Sequence, residues 1–126
     1  MANLYKRKIP KLNVETSALG MGTWSIGGPI TGKDGGALGW GNVDDKKSVR
    51  ALKRAFELDV RVFDTADVYG CGLSEELVGR ALENYRDEII IITKFGILLT
   101  QKQSVNSVKM LPRNIFVKQL LPHLND

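Results

Sequence analysis

The chain has 126 residues, 43% hydrophobic and 25% charged, which is an ordinary balance for a soluble globular protein and a length that suits one domain with a real core. Its net charge of +4 is scattered apart from Lys6-Arg7-Lys8 with Lys11, and no basic face is interleaved with aromatics, so no nucleic-acid surface is expected. Cys71 is the only cysteine, which excludes an internal disulfide and a cysteine metal cluster. No apolar run approaches membrane-spanning length and none follows the basic N-terminal residues, so neither a membrane span nor a signal peptide is expected and the cytoplasm is the default compartment.

In chain order, residues 4–9 and 12–15 are expected to form a small hairpin-like lid. Ser17 to Gly22 is short and apolar enough for a first buried strand. A glycine-rich loop follows, with nine of the thirteen glycines between Gly20 and Gly41. Asp44-Asp45 suits the start of a helix, as cap and as acid at the positive helix end. Val49, Leu52, Ala55 and Phe56 then recur at spacings of three and four, with lysines and arginines on the other faces. Val60, Val62 and Phe63 make a second strand. Ser74 is expected to cap a second helix, with Glu75 and Glu76 in its first turn and Leu77, Val78, Ala81 and Leu82 on its apolar side. Ile89-Ile90-Ile91-Ile92 is a β-branched run that reads as a parallel strand buried on both faces. This alternation of strand and helix implies βαβ units on a parallel sheet. Residues 97–110 show no clear period. Pro112 suits a first helical turn carried on by Ile115, Phe116, Gln119 and Leu120 and interrupted at Pro122.

The glycine-rich loop contains a decoy. Gly27-Gly28-Pro29-Ile30-Thr31-Gly32-Lys33 matches the glycine and lysine spacing of a phosphate-binding loop, but Asp34 stands where the magnesium-binding hydroxyl belongs. Gly35-Gly36 follows where a helix should open. A loop at the end of a strand where βα connections build active sites is the better reading.

The chemistry concentrates around Val62-Phe63-Asp64-Thr65-Ala66-Asp67-Val68-Tyr69-Gly70 and Thr93-Lys94. A phenol with a pKa of about 10 donates and recovers a proton poorly near neutral pH. Lowering such a pKa by three units takes roughly 4 kcal/mol. An ammonium about 4 Å away contributes on that order at an effective dielectric near 20. Lys94 can play that part beside Tyr69, with Asp64 as its counter-charge, since Asp64 and Lys94 end adjacent parallel strands. The same residues also allow a plain structural account, in which Asp64 caps a loop, Tyr69 packs and Lys94 is solvated.

In order along the chain, Ser17-Ala18-Leu19-Gly20-Met21-Gly22-Thr23-Trp24, Phe63-Asp64-Thr65-Ala66, Tyr69-Gly70, Ser74-Glu75-Glu76, Gly79-Arg80-Ala81 and Thr93-Lys94-Phe95-Gly96 resemble the N-terminal signature of the aldo-keto reductases. The resemblance covers residues 15–96. It implies an α/β fold, the N-terminal portion of a (β/α)8 TIM barrel comprising about the first three β/α units, with residues 1–126 as a partial barrel domain that stops before the fourth strand. It implies NADPH-dependent reduction of a small aldehyde or ketone, with Tyr69 as proton donor, Lys94 easing its proton release and Asp64 holding Lys94. Gly22, Thr23 and Trp24, with Asp64, are placed beside the nicotinamide or substrate.

A barrel of this type takes about 250 residues, so this length is about half of one. The family's catalytic histidine belongs after the next strand. His123 falls in the expected last helix, not after an apolar strand, and does not match it. The family's contacts to the cofactor phosphates belong to later strands. Asp59 stands where the family usually has glycine. The expectation is an aldo-keto reductase-like oxidoreductase, truncated and inactive alone, that is a fragment of a longer protein or works with a complementing C-terminal chain. The alternative is a non-catalytic truncated fragment that at most associates with itself or binds another protein, the open edges of its first and third strands inviting self-association.

Overall fold

The computed structural model of the chain describes residues 6–31 and 35–95. The helix expected from Pro112 and the position of His123 lie outside the described residues. Strands β1 (Lys6–Ile9) and β2 (Val14–Ser17) pair antiparallel around a 3-10 turn at Pro10–Leu12. Pro10 has the φ that the start of such a turn needs, and Asn13, at φ 52°, takes the left-handed position that asparagine tolerates well. Lys6 pairs with Glu15 across the hairpin at 3.2 Å.

The hairpin is present, but its second arm takes up Ser17, so the main sheet starts at Gly20 and not at Ser17 as expected. Hydrogen bonding explains the shift. The Ser17 hydroxyl donates to the Leu19 carbonyl at 2.7 Å and accepts the Arg61 backbone N–H at 2.9 Å, which turns the chain between the two strands.

Strands β3 (Gly20–Gly22), β4 (Val62–Asp64) and β5 (Ile90–Ile92) form a parallel sheet in the order β3-β4-β5. Its register sets Gly22, Asp64 and Ile92 side by side at the C-terminal end. The alternation in the sequence therefore yields the expected parallel units: β3 to α1 (Asp45–Glu57), β4 to α2 (Leu73–Leu82), then β5. Sheet neighbours that are consecutive in the chain are what short right-handed crossovers produce.

Asp44 caps α1 as expected, its carboxylate accepting the Lys47 N–H at 3.0 Å. The helix ends at Glu57, and Asp59, just beyond the Leu58 cap, has a φ of 69°, the left-handed conformation that usually selects glycine. The second helix departs from expectation at its start. Gly72, at φ 97°, is its cap, and Ser74 lies inside the first turn with its hydroxyl fully buried. The three-residue turn from Gly70 to Gly72 has positive φ throughout and spends two glycines on that geometry, so the helix opens two residues earlier than Ser74 would place it.

Leu77, Val78, Ala81 and Leu82 are all buried, as their spacing predicts, and with Leu52 of α1, Phe63 of β4 and Ile26 they form the core. Fully burying a side chain such as Leu52, Phe63 or Leu77 contributes roughly 1.5–3 kcal/mol, so this cluster holds both helices to the sheet. The isoleucine run behaves differently from the reading of a strand buried on both faces. Ile89 and Ile90 are buried but Ile91 and Ile92 are only half-buried, because among the described residues β5 has a strand neighbour on one side alone.

Candidate active site

Backbone pairing carries the sheet past the formal ends of its strands. The Thr65 N–H donates to the Ile92 carbonyl at 2.7 Å and the Asp67 N–H to the Lys94 carbonyl at 2.9 Å. This locks the segment after β4 alongside the segment after β5, so Asp64 and Lys94 emerge together. The Lys94 ammonium donates to Asp64 Oδ1 at 2.7 Å, with both side chains nearly half exposed. The same Nζ stands 5.1 Å from the centre of the Tyr69 ring. Burial, the largest single influence on Lys94, acts to lower its pKa. Hydrogen bonds to Asp64 and Tyr69, with the charge of the Asp64 carboxylate, act the other way and together outweigh it, so Lys94 titrates above its ordinary value.

Tyr69 is delivered by the tight turn between β4 and α2. Its N–H donates to the Ala66 carbonyl at 3.1 Å, and the left-handed Gly70 turns the chain immediately afterwards. Gly70 also lies against the backbone of Gly27. A Cβ on Gly27 would sit 2.7 Å from the Tyr69 carbonyl carbon, so only glycine allows the loop after β3 to lie on the loop after β4. That contact places Trp24 over Tyr69, stacked at 6.0 Å between ring centres and 19° between planes. Trp40 meets Trp24 edge-on at 6.0 Å and 87°.

Asp64, Tyr69 and Lys94 are thus brought together, and Trp24 joins them. Gly22, in register with Asp64, borders open space among the described residues, none of which lies within 4 Å of a Cβ built there. Thr23 is different. It is fully buried beneath the site and hydrogen-bonded within the protein, so its side chain lies behind the surface that a cofactor or substrate would touch.

Thr23 belongs to a cluster of hydroxyls with Thr65 and Ser74, none more than 1% exposed. Thr23 Oγ1 donates to the Asp64 carbonyl at 2.9 Å and lies 2.7 Å from Ser74 Oγ. Ser74 Oγ donates to the Thr23 carbonyl at 3.0 Å and lies 3.0 Å from Thr65 Oγ1. Three hydroxyl protons serve these four contacts, so the protons are shared or exchange among them. The Asp64 carbonyl is satisfied in every arrangement, because the Thr23 N–H also donates to it at 2.9 Å. The cluster ties the three segments that carry Trp24, Asp64 and Tyr69. Thr93 Oγ1 adds a fourth tie, donating to Glu75 of α2 at 2.6 Å just before Lys94.

Sequence reasoning missed Ser74, Thr65 and Trp40. A serine near a helix start reads first as a cap, and nothing local distinguishes one that points inward. Trp40 carried a faint signal, as a large aromatic set between Gly39 and Gly41. A groove of about 260 Å³ bordered by Lys6, Glu15, Arg61, Asp87 and Ile90 lies at the opposite, N-terminal end of β4 and β5, away from these groups.

The sequence profile of the aldo/keto reductase family matches residues 18–119. The aldo-keto reductase YhdN of Bacillus subtilis is 39% identical over 88 residues, which are 68% of this chain and 24% of that protein. The fold is similar to that of the aldo-keto reductase AKR11C1 from Bacillus halodurans in its holo form, with a TM-score of 0.63 and 31% identity over 80% of this chain and 29% of that one. It is also similar to an aldo/keto reductase from Klebsiella pneumoniae in complex with NADP and acetate, with a TM-score of 0.52 and 27% identity over 67% of this chain and 25% of that one. The chain thus spans about a quarter of the length of these relatives. Its β3-α1-β4-α2-β5 succession corresponds to the N-terminal portion of their barrel, and no closed barrel forms among the described residues. The matched profile, the ordered motifs and the shared fold establish that the chain belongs to the aldo/keto reductase family.

Proposed function

We propose that this chain carries the proton-donating part of an NAD(P)H-dependent carbonyl reductase. One observation carries the reading: Lys94 is held at 2.7 Å by Asp64 at the C-terminal end of the sheet, with its ammonium 5.1 Å from the centre of the Tyr69 ring. Tyr69 gives its proton to the carbonyl oxygen of the substrate and recovers one from solvent. Lys94 stabilises the negative charge left on the phenol oxygen, and Asp64 fixes the direction of the ammonium. Metal-free proton donation of this kind needs a cation beside the phenol, which the arrangement supplies.

The residues fit the reacting end of a nicotinamide cofactor. Among the described residues, open space borders Gly22 in line with Asp64, and the Klebsiella pneumoniae relative was solved with NADP. Gly22, Trp24 and Asp64 would border a nicotinamide there, with Thr23 supporting them from beneath, and the reduced cofactor would supply the hydride that reduces the carbonyl carbon.

A second reading rests on the sheet. β3 and β5 each have a strand neighbour on one side only among the described residues, and Leu19, just before β3, is 60% exposed. Such edges favour pairing with further strands. In this reading the chain alone is non-catalytic and associates with itself or with a chain supplying further barrel strands.

Titration of the purified 126-residue chain with NADPH, followed by calorimetry, separates the two. Saturable binding, with reduction of a reactive aldehyde that is lost in both Tyr69→Phe and Lys94→Met, supports a working site in the chain itself. No binding at millimolar cofactor, with concentration-dependent association in sedimentation, supports the second reading.

A further inference from the structure

Thr93 directly precedes Lys94, and its hydroxyl donates to Glu75 at 2.6 Å, a length in the range of a hydrogen bond to a charged carboxylate. Successive side chains of an extended segment leave on opposite faces, so Thr93 and Lys94 serve different sides of one backbone. Backbone bonds flank Thr93: the Ile92 carbonyl accepts the Thr65 N–H at 2.7 Å, and the Lys94 carbonyl accepts the Asp67 N–H at 2.9 Å. Those bonds hold the segment within the sheet, against the residues after β4. They do not hold it across the sheet, and among the described residues β5 has no strand on its other side. The bond from Thr93 to Glu75 of α2 supplies the missing direction.

Glu75 is a firm anchor. It stands in the first turn of α2, where a negative charge is favoured. Ser74 before it is fully buried and bonded to the Thr23 carbonyl, and Leu77 and Val78 after it lie in the core. The Ser74 N–H also donates to the Tyr69 carbonyl at 3.1 Å. The connections therefore close on themselves. Tyr69 is bonded to Ser74, Glu75 follows Ser74 and accepts Thr93, and Lys94 follows Thr93 with its ammonium 5.1 Å from the centre of the Tyr69 ring. This circuit fixes the origins of both side chains. The polar groups that act on the Lys94 ammonium itself are Asp64 and Tyr69, so Glu75 works through the backbone and not through its charge.

We propose that Glu75 is a positioning residue, which through the Thr93 hydroxyl fixes the backbone from which Lys94 reaches Asp64 and Tyr69. Its purpose rests on the reductase reading, but the placement of Lys94 can be followed with no cofactor and no turnover. In NMR spectra of the 126-residue chain carrying isotope-labelled lysine, the signal missing from Lys94→Met belongs to Lys94, and its Cε shift is followed as pH rises. In the parent chain Lys94 is expected to titrate above its ordinary value of 10.5. Glu75→Ala and Thr93→Val, which both remove the bond, should bring it down towards that value. Glu75→Gln keeps an acceptor and Thr93→Ser a donor, and both should stay near the parent. Glu76→Ala removes an exposed acid from the same helical turn and should change nothing. At neutral pH the two Hε protons of Lys94 should be separate in the parent and merge in Glu75→Ala, as they do in a freely turning side chain.

A Lys94 signal in Glu75→Ala that behaves as in the parent, in titration and at neutral pH, overturns the proposal, even where the variant melts earlier. An equal loss in Glu75→Gln overturns it too, since charge and not the bond would then be the cause. Should Glu75→Ala not fold, Thr93→Val set against Thr93→Ser makes the same comparison. In a form of the protein that reduces a carbonyl, Glu75→Ala should lower kcat by about tenfold with KM for NADPH within about twofold, as a misplaced catalytic group with intact binding does. A chain that reduces nothing while Lys94 responds as expected loses the reductase reading and keeps the positioning role of Glu75.

Discussion

Arg61 leads into β4 and Lys94 follows β5, and each is paired with an aspartate, at 2.9 Å to Asp59 and 2.7 Å to Asp64. The lengths are nearly alike, but the surroundings are not. Arg61 also donates to the Phe56 carbonyl at 2.8 Å and the Val60 carbonyl at 3.1 Å, and its guanidinium lies 4.0 Å from the centre of the Phe56 ring, which stacks on Tyr85. Its donors are used inside the protein. Lys94 keeps a compact ammonium directed at one carboxylate and one phenol, with half of its side chain in solvent. A planar fork suits several fixed acceptors, whereas a point charge suits a partner whose charge changes during a reaction. The pair at the N-terminal end of β4 therefore reads as structural, whereas the pair at the C-terminal end suits the proton chemistry proposed for it.

The largest effect that tests this contrast is expected at the C-terminal end. In any form of the protein that reduces a carbonyl, Tyr69→Phe and Lys94→Met should each lower turnover by about 10²–10⁴-fold, the range of a positioned proton donor. Their thermal stability should change by no more than about 1 kcal/mol, since a half-exposed ion pair contributes little. Steady-state kinetics beside thermal denaturation checks both halves. A large loss of stability with intact turnover would reverse the assignment of the two ends.

Ser74→Ala comes next. It removes the hydroxyl at the centre of the buried cluster, takes from Thr65 Oγ1 its contact with Ser74 and leaves the Thr23 carbonyl with the longer bond from the Ile26 N–H at 3.3 Å. The expected cost is about 1–3 kcal/mol in denaturant unfolding. Because Thr23, Trp24 and Asp64 are tied through that cluster, the Trp24 indole signal should shift as well. Ser74→Thr tests whether the hydroxyl or the tight space matters more, since the site is fully buried.

Arg61→Lys sharpens the other side of the comparison. Lysine keeps the charge but cannot reach the Asp59 carboxylate, two carbonyls and the face of Phe56 together. A loss of about 1–2 kcal/mol is expected, with carbonyl chemistry unaffected. A change in turnover beyond about twofold would show that the two ends of β4 communicate.

Much of this was legible in the sequence, and for specific reasons. Asp64 and Lys94 follow apolar strand segments, and in a parallel sheet consecutive strands end on the same side, so their meeting follows from the alternation alone. The apolar face of α2 follows from its spacing, and the cap of α1 from Asp44. The start of α2 and the orientation of Ser74 were not legible, because three successive residues with positive φ set them and only two of those are glycine. Cys71 takes the left-handed conformation at φ 54° with no side-chain type to announce it. The contact of Trp40 with Trp24 was hidden for a similar reason. It depends on the pairing of residues 37–38 with residues 30–31, which local pattern does not encode.

The smallest expected effect is a pH dependence that only one of the two pairs should show. Lys94 titrates above its ordinary value of 10.5, so the folded state holds its proton more tightly than the unfolded chain does. The stability it contributes is therefore fully present below the unfolded pKa and is lost as pH rises through the folded one. A guanidinium keeps its charge over the same range, so the Arg61 pair has no matching loss. Unfolding measured at increasing pH from neutrality should show a decline setting in near pH 10.5 that is shallower in Lys94→Met than in the parent chain. The difference should be small, because Lys94 and Asp64 are both nearly half exposed and solvent screens them. Parallel curves for the two proteins would mean that the Asp64–Lys94 contact is too loose to hold the ammonium against Tyr69, and the assignment of Lys94 to proton chemistry would fall with it.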